Sequence, residues 1–574
     1  MDNNSIMGPK RILLLGISVF LLLLVPLSRF YSQINHQFKI NKRIKLLFES
    51  ISKSNTVTKF EFFMSMLHDS KISVFLRNHS WIWAATGSFL SILVGLWYIT
   101  AGTFTQWTPY SSYFDRQAEA FLAGQVFLLE DPPKELSQVK DVFAWKQREG
   151  IDYIWDISYY NGKYYLYWGP VPAIVAAGIK LIQPTVIEDQ VLVFLFFIGL
   201  SITLGIFFHW LRKSFFSASP GWMVMMFTLV SSLNTPVLFL INRPFVYEAA
   251  IISAQFFLIL GIYTTIRALT STKLKSLWLI FAGFSLSAAI ASRFTYIFSV
   301  LFICFIILFK LLKSILIKKE KWTLLLSFAI PVVLIGTGLA WFNFVRFGNI
   351  LESGLRYQLT GDALPDNFRL LFSPIYFAAN TYSSLFRPLG FSVKEFPFFF
   401  SPYVLDKMWP NFIHRPPTYY SGEPVVGVFA SIPFLWSILF PIIMMFKEGM
   451  DWINEKKSIF TTSDSNSIPK WVILLLSGTG ILLYVTLMFY VMSTMRFLVD
   501  FVPLWMLCAG ISSWHFLARL GEKTGWKRVF LLTLIILCAM TIIISLFLNM
   551  QSGDKRFLTN NPSLYYLLAH FFTR

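Results

Sequence analysis

Asp115 and Glu119 stand four residues apart in the run Tyr113-Phe-Asp-Arg-Gln-Ala-Glu-Ala-Phe-Leu122, between long apolar segments. Four residues is about one helical turn, so the spacing puts both acids on one face of a predicted helix. A carboxylate partly shielded from water suits a general base that takes a proton from an attacking hydroxyl or amine. Tyr113 and Arg116 flank the acids and are candidate substrate contacts. Further along, Asn161-Gly162 separates tyrosine-rich arms, which is a strong short-range signal for a β-hairpin. Lys163 follows that turn, where it is expected to be exposed and within reach of a phosphate. Tyr165 and its neighbours suit anchoring at an interface or stacking against a sugar. Asp152 and Asp156 read as caps of the hairpin.

A second set of residues is defined by position. Arg243, Glu248, Arg293, Arg346, Arg496 and Asp500 all fall at the ends of apolar runs, where an ionised group is costly and therefore informative. Arg496 and Asp500 are four apart at the start of one predicted helix, a spacing that allows them to pair locally. Guanidinium groups offer a planar fork that matches phosphate, so Arg243, Arg293, Arg346 and Arg496 are candidates for holding a donor phosphate at the membrane interface. Cations placed there would also stabilise negative charge on a departing phosphate.

These residues need a scaffold, and composition defines it. Of 574 residues 55% are hydrophobic and only 14% charged, against about 25% charged in soluble domains. The chain is therefore read as an all-α polytopic membrane protein. Its net charge of +19 is explained by basic loops on one side of the membrane, and with no basic soluble domain a nucleic-acid partner is not expected. Cys304, Cys508 and Cys538 each lie in an apolar run without metal-ligand spacing, and no Walker-type loop occurs. The residues require no cofactor, though a divalent metal beside Asp115 stays open.

Residues 1–79 read as an anchor (Ile12–Leu27) followed by a basic cytoplasmic segment. A core over 80–345 contains a large external loop, 101–189, with juxtamembrane helices and the hairpin. A second external loop spans 346–424, and further spans fill 425–574. Later basic clusters fall at Arg212-Lys213, Arg267 to Lys275, Lys310 to Lys321, Lys447 to Lys470 and Arg519 to Arg528. Ten spans, at about 190–210, 222–241, 246–266, 277–291, 296–313, 323–343, 425–446, 471–492, 497–517 and 529–548, place every cluster inside if they alternate. The run 171–182 is too short to cross and is preceded by Pro170 and Pro172, so it reads as juxtamembrane or re-entrant.

On these residues the chain resembles the GT-C superfamily of polytopic glycosyltransferases, most nearly the protein O-mannosyltransferase and bacterial aminoarabinose-transferase group. The likeness lies in Tyr113 to Gly124, the Gly169-Pro-Val-Pro turn, His209-Trp-Leu-Arg-Lys-Ser-Phe, Arg346-Phe-Gly-Asn and Met495-Arg-Phe-Leu-Val-Asp-Phe-Val-Pro. It implies a GT-C-like bundle of about 11–13 transmembrane helices in the cell (inner) membrane. It also implies transfer of a sugar from a polyprenyl-phosphate donor to a glycan, lipid or protein acceptor, through an acid in the first external loop. The chain departs from the group where two adjacent acids are usual, since Tyr110-Ser-Ser-Tyr113 stands there. The resemblance therefore leaves the base to Asp115 or Glu119. Two other functions fit a bundle of this composition, a transporter or flippase of lipid-linked glycans and a non-catalytic scaffold that binds lipid-linked sugar. The absence of a visible repeat disfavours transport.

Overall fold

The computed structural model describes residues 79–271, 273–361, 368–402, 410, 413, 420–440, 468–520, 524–551 and 555–573. The expected anchor 12–27, nearly all of the basic segment 29–79 and most of the cluster from Lys447 to Lys470 lie outside them.

Long apolar stretches without charges become helices because a helix satisfies its own backbone groups, which a bilayer interior cannot do. The long helices are α1 (Trp81–Ile99), α4 (Asp189–Phe215), α7 (Val246–Thr270), α8 (Lys275–Ser292), α9 (Ile297–Leu312), α10 (Lys318–Phe347), α11 (Lys470–Met488), α12 (Val502–Arg519) and α13 (Thr524–Gln551). Among the described residues eight helices are long and apolar enough to cross a membrane, α12 being the less apolar exception. A further pair, α5 (Trp222–Ser232) and α6 (Thr235–Asn242), bends by 52° at a short break and is long and apolar enough to cross only when the two are taken together. Asn234 and Pro236 cause the break: the Asn234 side chain caps α6 by accepting from the Val237 N–H at 3.2 Å, and Pro236 has no N–H to continue α5. The all-α polytopic architecture expected from the sequence is the one observed.

Helix α7 is the most buried of the spans and packs between α4 and α8, with α10 outside α8. α1 lies against α4 and α5. Their contact is close because Gly205 leaves room, a Cβ there lying 2.5 Å from Ser88 Oγ. The helices alternate in direction. Arg212, Arg267, Lys310 and Arg519 consequently lie at one end of the bundle, and the starts of α4, α7 and α12 with the ends of α8 and α10 lie at the other.

The first loop carries α2 (Tyr113–Leu122), the hairpin β1 (Ser158–Tyr160) and β2 (Lys163–Tyr165), and α3 (Val171–Lys180). The hairpin turns at Asn161-Gly162, with Tyr160 opposite Lys163 and Ser158 opposite Tyr165. Helix α3 has ten residues, too few to span. Three expected spans differ, one of them 497–517, which opens as a 3-10 turn so that α12 begins only at Val502. Residues 425–446 do not start as one straight helix: the short turn Val428–Ser431 gives way to a 3-10 segment Pro433–Ile438, because Pro433 cannot donate into a continuing helix. The span 471–492 stops at Met488, after which β4 (Met492–Ser493) runs parallel to β3 (Ser421–Gly422).

Candidate functional site

The elements that meet at the end of the bundle opposite the basic clusters bring seven charged side chains together. Arg243 ends α6, Glu248 lies in the first turn of α7, and Arg293 ends α8. Arg496 and Asp500 lie in a 3-10 turn, Met495–Asp500, just before α12. Glu423 follows β3, and Asp156 comes from the first loop immediately before the hairpin.

Arg496 forks onto Glu423, with its two terminal nitrogens 3.1 and 3.0 Å from the two carboxylate oxygens. On its other side it lies 3.8 Å from Glu248 Oε1 and over the Tyr247 ring at 4.8 Å. Arg243 approaches the same Glu423 carboxylate at 3.7 Å. Arg293 pairs with Asp500 at 3.1 Å, and its Nε donates to the Thr295 hydroxyl at 3.1 Å. The Tyr296 hydroxyl sits within donating distance of Asp500 Oδ1 (3.1 Å) and Gln255 Oε1 (2.9 Å), which fixes the carboxylate that orients Arg293. The local Arg496–Asp500 pair that their spacing allows is thus replaced by two tertiary pairs. The segment is a tight 3-10 turn rather than a regular helix, and each group meets a stronger partner on another element.

Asp156 completes the cluster. It is buried and adopts φ +61°, a left-handed conformation uncommon for a residue other than glycine. Its backbone N–H donates to the Leu359 carbonyl at 3.0 Å, so strain and placement are held by the second loop. Its Oδ2 atom is buried with no hydrogen-bond partner. Burial pushes the Asp156 carboxyl up to about 7, while the Arg496 charge pulls it down. Around it stand Tyr113, whose hydroxyl donates to the Trp155 carbonyl at 2.8 Å, and Tyr167, stacked on Trp168 at 3.9 Å. Burial raises the Tyr167 hydroxyl well above its ordinary value, and the Asp156 charge adds to this. Trp168 meets Tyr247 edge-on at 5.2 Å, giving one side of the site an aromatic wall. Gly169 lets this wall sit against the end of α8: a Cβ there would lie 1.9 Å from the Ala291 carbonyl oxygen.

The residues singled out from sequence divide into two groups. Arg243, Arg293 and Arg496 converge as described, and Tyr113 touches the residue beside Asp156. Asp115 and Glu119 share a face, but the cation they meet is Lys180, at 2.7 and 3.0 Å. Asp115 also accepts from the Ile187 N–H at 2.8 Å, and Asp189 caps the start of α2 through the Tyr113 and Phe114 N–H groups at 3.1 Å each. Those bonds tie α2 to α3 and α4. Arg346 is buried beside the hairpin, donating to the Leu166 carbonyl at 2.7 Å and to Asn343 at 2.8 Å. Arg116 faces Glu130 at 3.4 Å and Lys163 faces Asp131 at 3.0 Å. Tyr165 packs on Phe347 at 5.2 Å. Sequence reasoning passed over Asp156 and Glu423 as site residues. For Asp156 a signal existed, an acid embedded in Ile154-Trp-Asp-Ile-Ser-Tyr-Tyr160, where so many large side chains favour burial. Among the described residues no group of three or more His, Cys, Asp or Glu side chains is placed to hold a metal ion.

The fold and site together define a polytopic helical membrane protein with a buried carboxylate–arginine cluster at one end of its bundle. No protein-family profile matches the chain, and no curated protein matches it. Among solved structures it is similar to the oligosaccharyltransferase of Archaeoglobus fulgidus in its apo form (12% identity, TM-score 0.45). It is also similar to the archaeal oligosaccharyltransferase AglB of Archaeoglobus fulgidus in complex with an inhibitory peptide and a dolichol-phosphate (12%, 0.46). A third likeness is to the Archaeoglobus fulgidus enzyme tethered to an acceptor peptide containing the NVT sequon (14%, 0.44). Each alignment covers 86% of this chain but only 59–60% of the other, so the chain spans about three fifths of the length of those structures.

Proposed function

We propose that this chain is a membrane glycosyltransferase that moves a sugar from a polyprenyl-phosphate donor to an acceptor at the end of the bundle where the cluster lies. The observation that carries the reading is Asp156, a buried carboxylate with an unpartnered oxygen, close enough to Arg496 for that charge to act on it, where Arg496 shares Glu423 with Arg243. The donor's isoprenoid chain stays among the helices, its phosphate lies against the arginines, and its sugar rests on the aromatic wall of Tyr167, Trp168 and Tyr247.

In the reaction the acceptor oxygen or nitrogen attacks the anomeric carbon while Asp156 takes its proton. The bond from that carbon to the phosphate oxygen breaks, and its electron pair leaves with the phosphate. The charge that develops there is held by the guanidinium groups, which are preorganised by Asp500 and Glu248. One displacement without a protein nucleophile inverts the anomeric configuration. The base role expected of Asp115 or Glu119 passes in this reading to Asp156, because Lys180 pairs with both Asp115 and Glu119 and the Ile187 N–H adds a second bond to Asp115 Oδ1, which ties these acids into the packing of the first loop. The outer face of the cell membrane remains the proposed location, and a glycan, lipid or protein the proposed acceptor class.

The test uses purified full-length protein with a panel of polyprenyl-phosphate sugars. Asp156→Asn keeps size and hydrogen bonding but cannot take a proton, so turnover should fall by about two to four orders of magnitude. Wild-type turnover in Asp156→Asn would refute the assignment of the base. Absence of transfer and of donor binding across the panel would refute the reading as a whole.

A further inference from the structure

The clearest feature left unexplained by this reading is that its phosphate seat already holds an anion. Arg496 and Arg243 both face the Glu423 carboxylate, and Arg496 meets it with a hydrogen bond of 3.1 Å and a second charge contact of 3.0 Å. A guanidinium also engages a phosphate through two of its oxygens. We infer that Glu423 is an internal stand-in for the donor phosphate: it holds the Arg243–Arg496 seat in the unloaded protein and gives it up when a lipid phosphate binds. The inference rests on the proposed function and adds to it a named seat and a residue that competes for it.

Three observations single out Glu423 among the carboxylates of the cluster. The side chains of Glu248 and Asp500 are fully buried on helical or turn segments, whereas that of Glu423 is 28% exposed. Its backbone is held by the two-residue pairing of β3 with β4 and by the Glu423 N–H donating to the Ser493 carbonyl at 2.9 Å. Those are backbone bonds, so the side chain can swing out without breaking them. Charge balance favours the exchange as well. A phosphodiester carries one negative charge, as the carboxylate does, and a phosphomonoester such as farnesyl phosphate about 1.5 to 2 near neutral pH, so an incoming lipid phosphate replaces the charge that Glu423 gives up. Adding a phosphate while Glu423 stayed would put a second uncompensated anion beside Glu248 in a poorly solvated site.

An internal competitor reduces apparent affinity by the fraction of molecules in which the seat is free. Glu423→Gln removes the charge but keeps an oxygen to accept from the Thr494 hydroxyl, which now donates to Glu423 at 2.6 Å. In detergent or nanodiscs, farnesyl phosphate should therefore bind Glu423→Gln roughly tenfold more tightly than the wild type, since charge-assisted bonds dominate the competition. Inorganic phosphate is the second probe, and weak binding of it alongside strong binding of farnesyl phosphate would identify a lipid headgroup as the occupant. Arg496→Gln is the companion variant and should weaken binding of farnesyl phosphate. If Arg496→Gln weakens binding but Glu423→Gln binds no better than wild type, the stand-in role is overturned and the phosphate seat survives. Equal binding by wild type, Arg496→Gln and Arg243→Gln, or no binding by any of them including Glu423→Gln, overturns both. A Glu423 that merely glues its loop would give weaker binding and a lower melting temperature in Glu423→Gln, opposite to the result expected here.

Discussion

The rise of the Asp156 carboxyl from 3.8 to about 7 ties turnover and stability to pH in opposite ways. A general base works only when ionised, so turnover should climb about tenfold per pH unit below about 7 and level off above it. Stability moves the other way. Between those two values the unfolded chain has already lost a proton that the folded chain keeps, so folding weakens as pH rises from about 4 to about 7 and is flat beyond. The difference between the values sets a ceiling of ~4 kcal/mol on that loss, each pH unit being worth about 1.4 kcal/mol. Asp156→Asn has no such titration. It should therefore melt at a higher temperature than wild type above about pH 7, with the gap closing toward about pH 4, while its residual turnover loses the pH dependence. The assay is transfer from a polyprenyl-phosphate sugar between about pH 5.5 and about pH 8.5, with melting curves of both proteins at each pH. A wild-type rate that is flat across that window would refute the reasoning. So would a variant that keeps the wild-type profile.

Three further outcomes follow from other parts of the structure. Lys180→Met leaves the buried Asp115 carboxylate without its cation, so stability should drop by about 3–5 kcal/mol, read as a lower melting temperature, while transfer by the folded fraction stays close to wild type. Gly169→Ala forces a Cβ onto the Ala291 carbonyl at the end of α8, which must push the Trp168 wall away from Arg293; donor affinity should fall about tenfold or more, measured by titration with farnesyl phosphate. Cysteines introduced at the exposed positions Ser137 and Ser421 should be labelled from the same side of intact cells, because both loops belong to the end of the bundle opposite the basic clusters.

Much of the scaffold was legible because its determinants are local. The Asn161-Gly162 hairpin needs only its turn residues, and the ten-residue α3 only its length and prolines. The alternation of the spans could be followed from Arg212, Arg267, Lys310 and Arg519, since basic residues collect at one end. Charges at span ends singled out Arg243, Glu248, Arg293, Arg346, Arg496 and Asp500, because burial of an ion demands a partner nearby, and all of them except Arg346, which turns to the Leu166 carbonyl, pair within the cluster. Which partner was not legible. Arg293 finds Asp500 across 207 positions of chain, and Arg496 finds Glu423 through a strand pair too short to leave a pattern. Spacing reports that Asp115 and Glu119 share a face but not what faces them, and Lys180, 65 residues from Asp115, meets them there. Asp156 looked like a hairpin cap because its site is built by the second loop, through Leu359.

The central claim is that the lipid phosphate is held by the arginine cluster beside Asp156. An experimental structure of the protein with a polyprenyl phosphate bound tests it most directly. The account predicts the phosphate within hydrogen-bonding distance of Arg496 and at least one of Arg243 and Arg293, with the Glu423 carboxylate displaced and Asp156 facing the position of the sugar. A phosphate seated instead beside Lys180 and Asp115, or among the basic residues at the opposite end of the bundle, would contradict it.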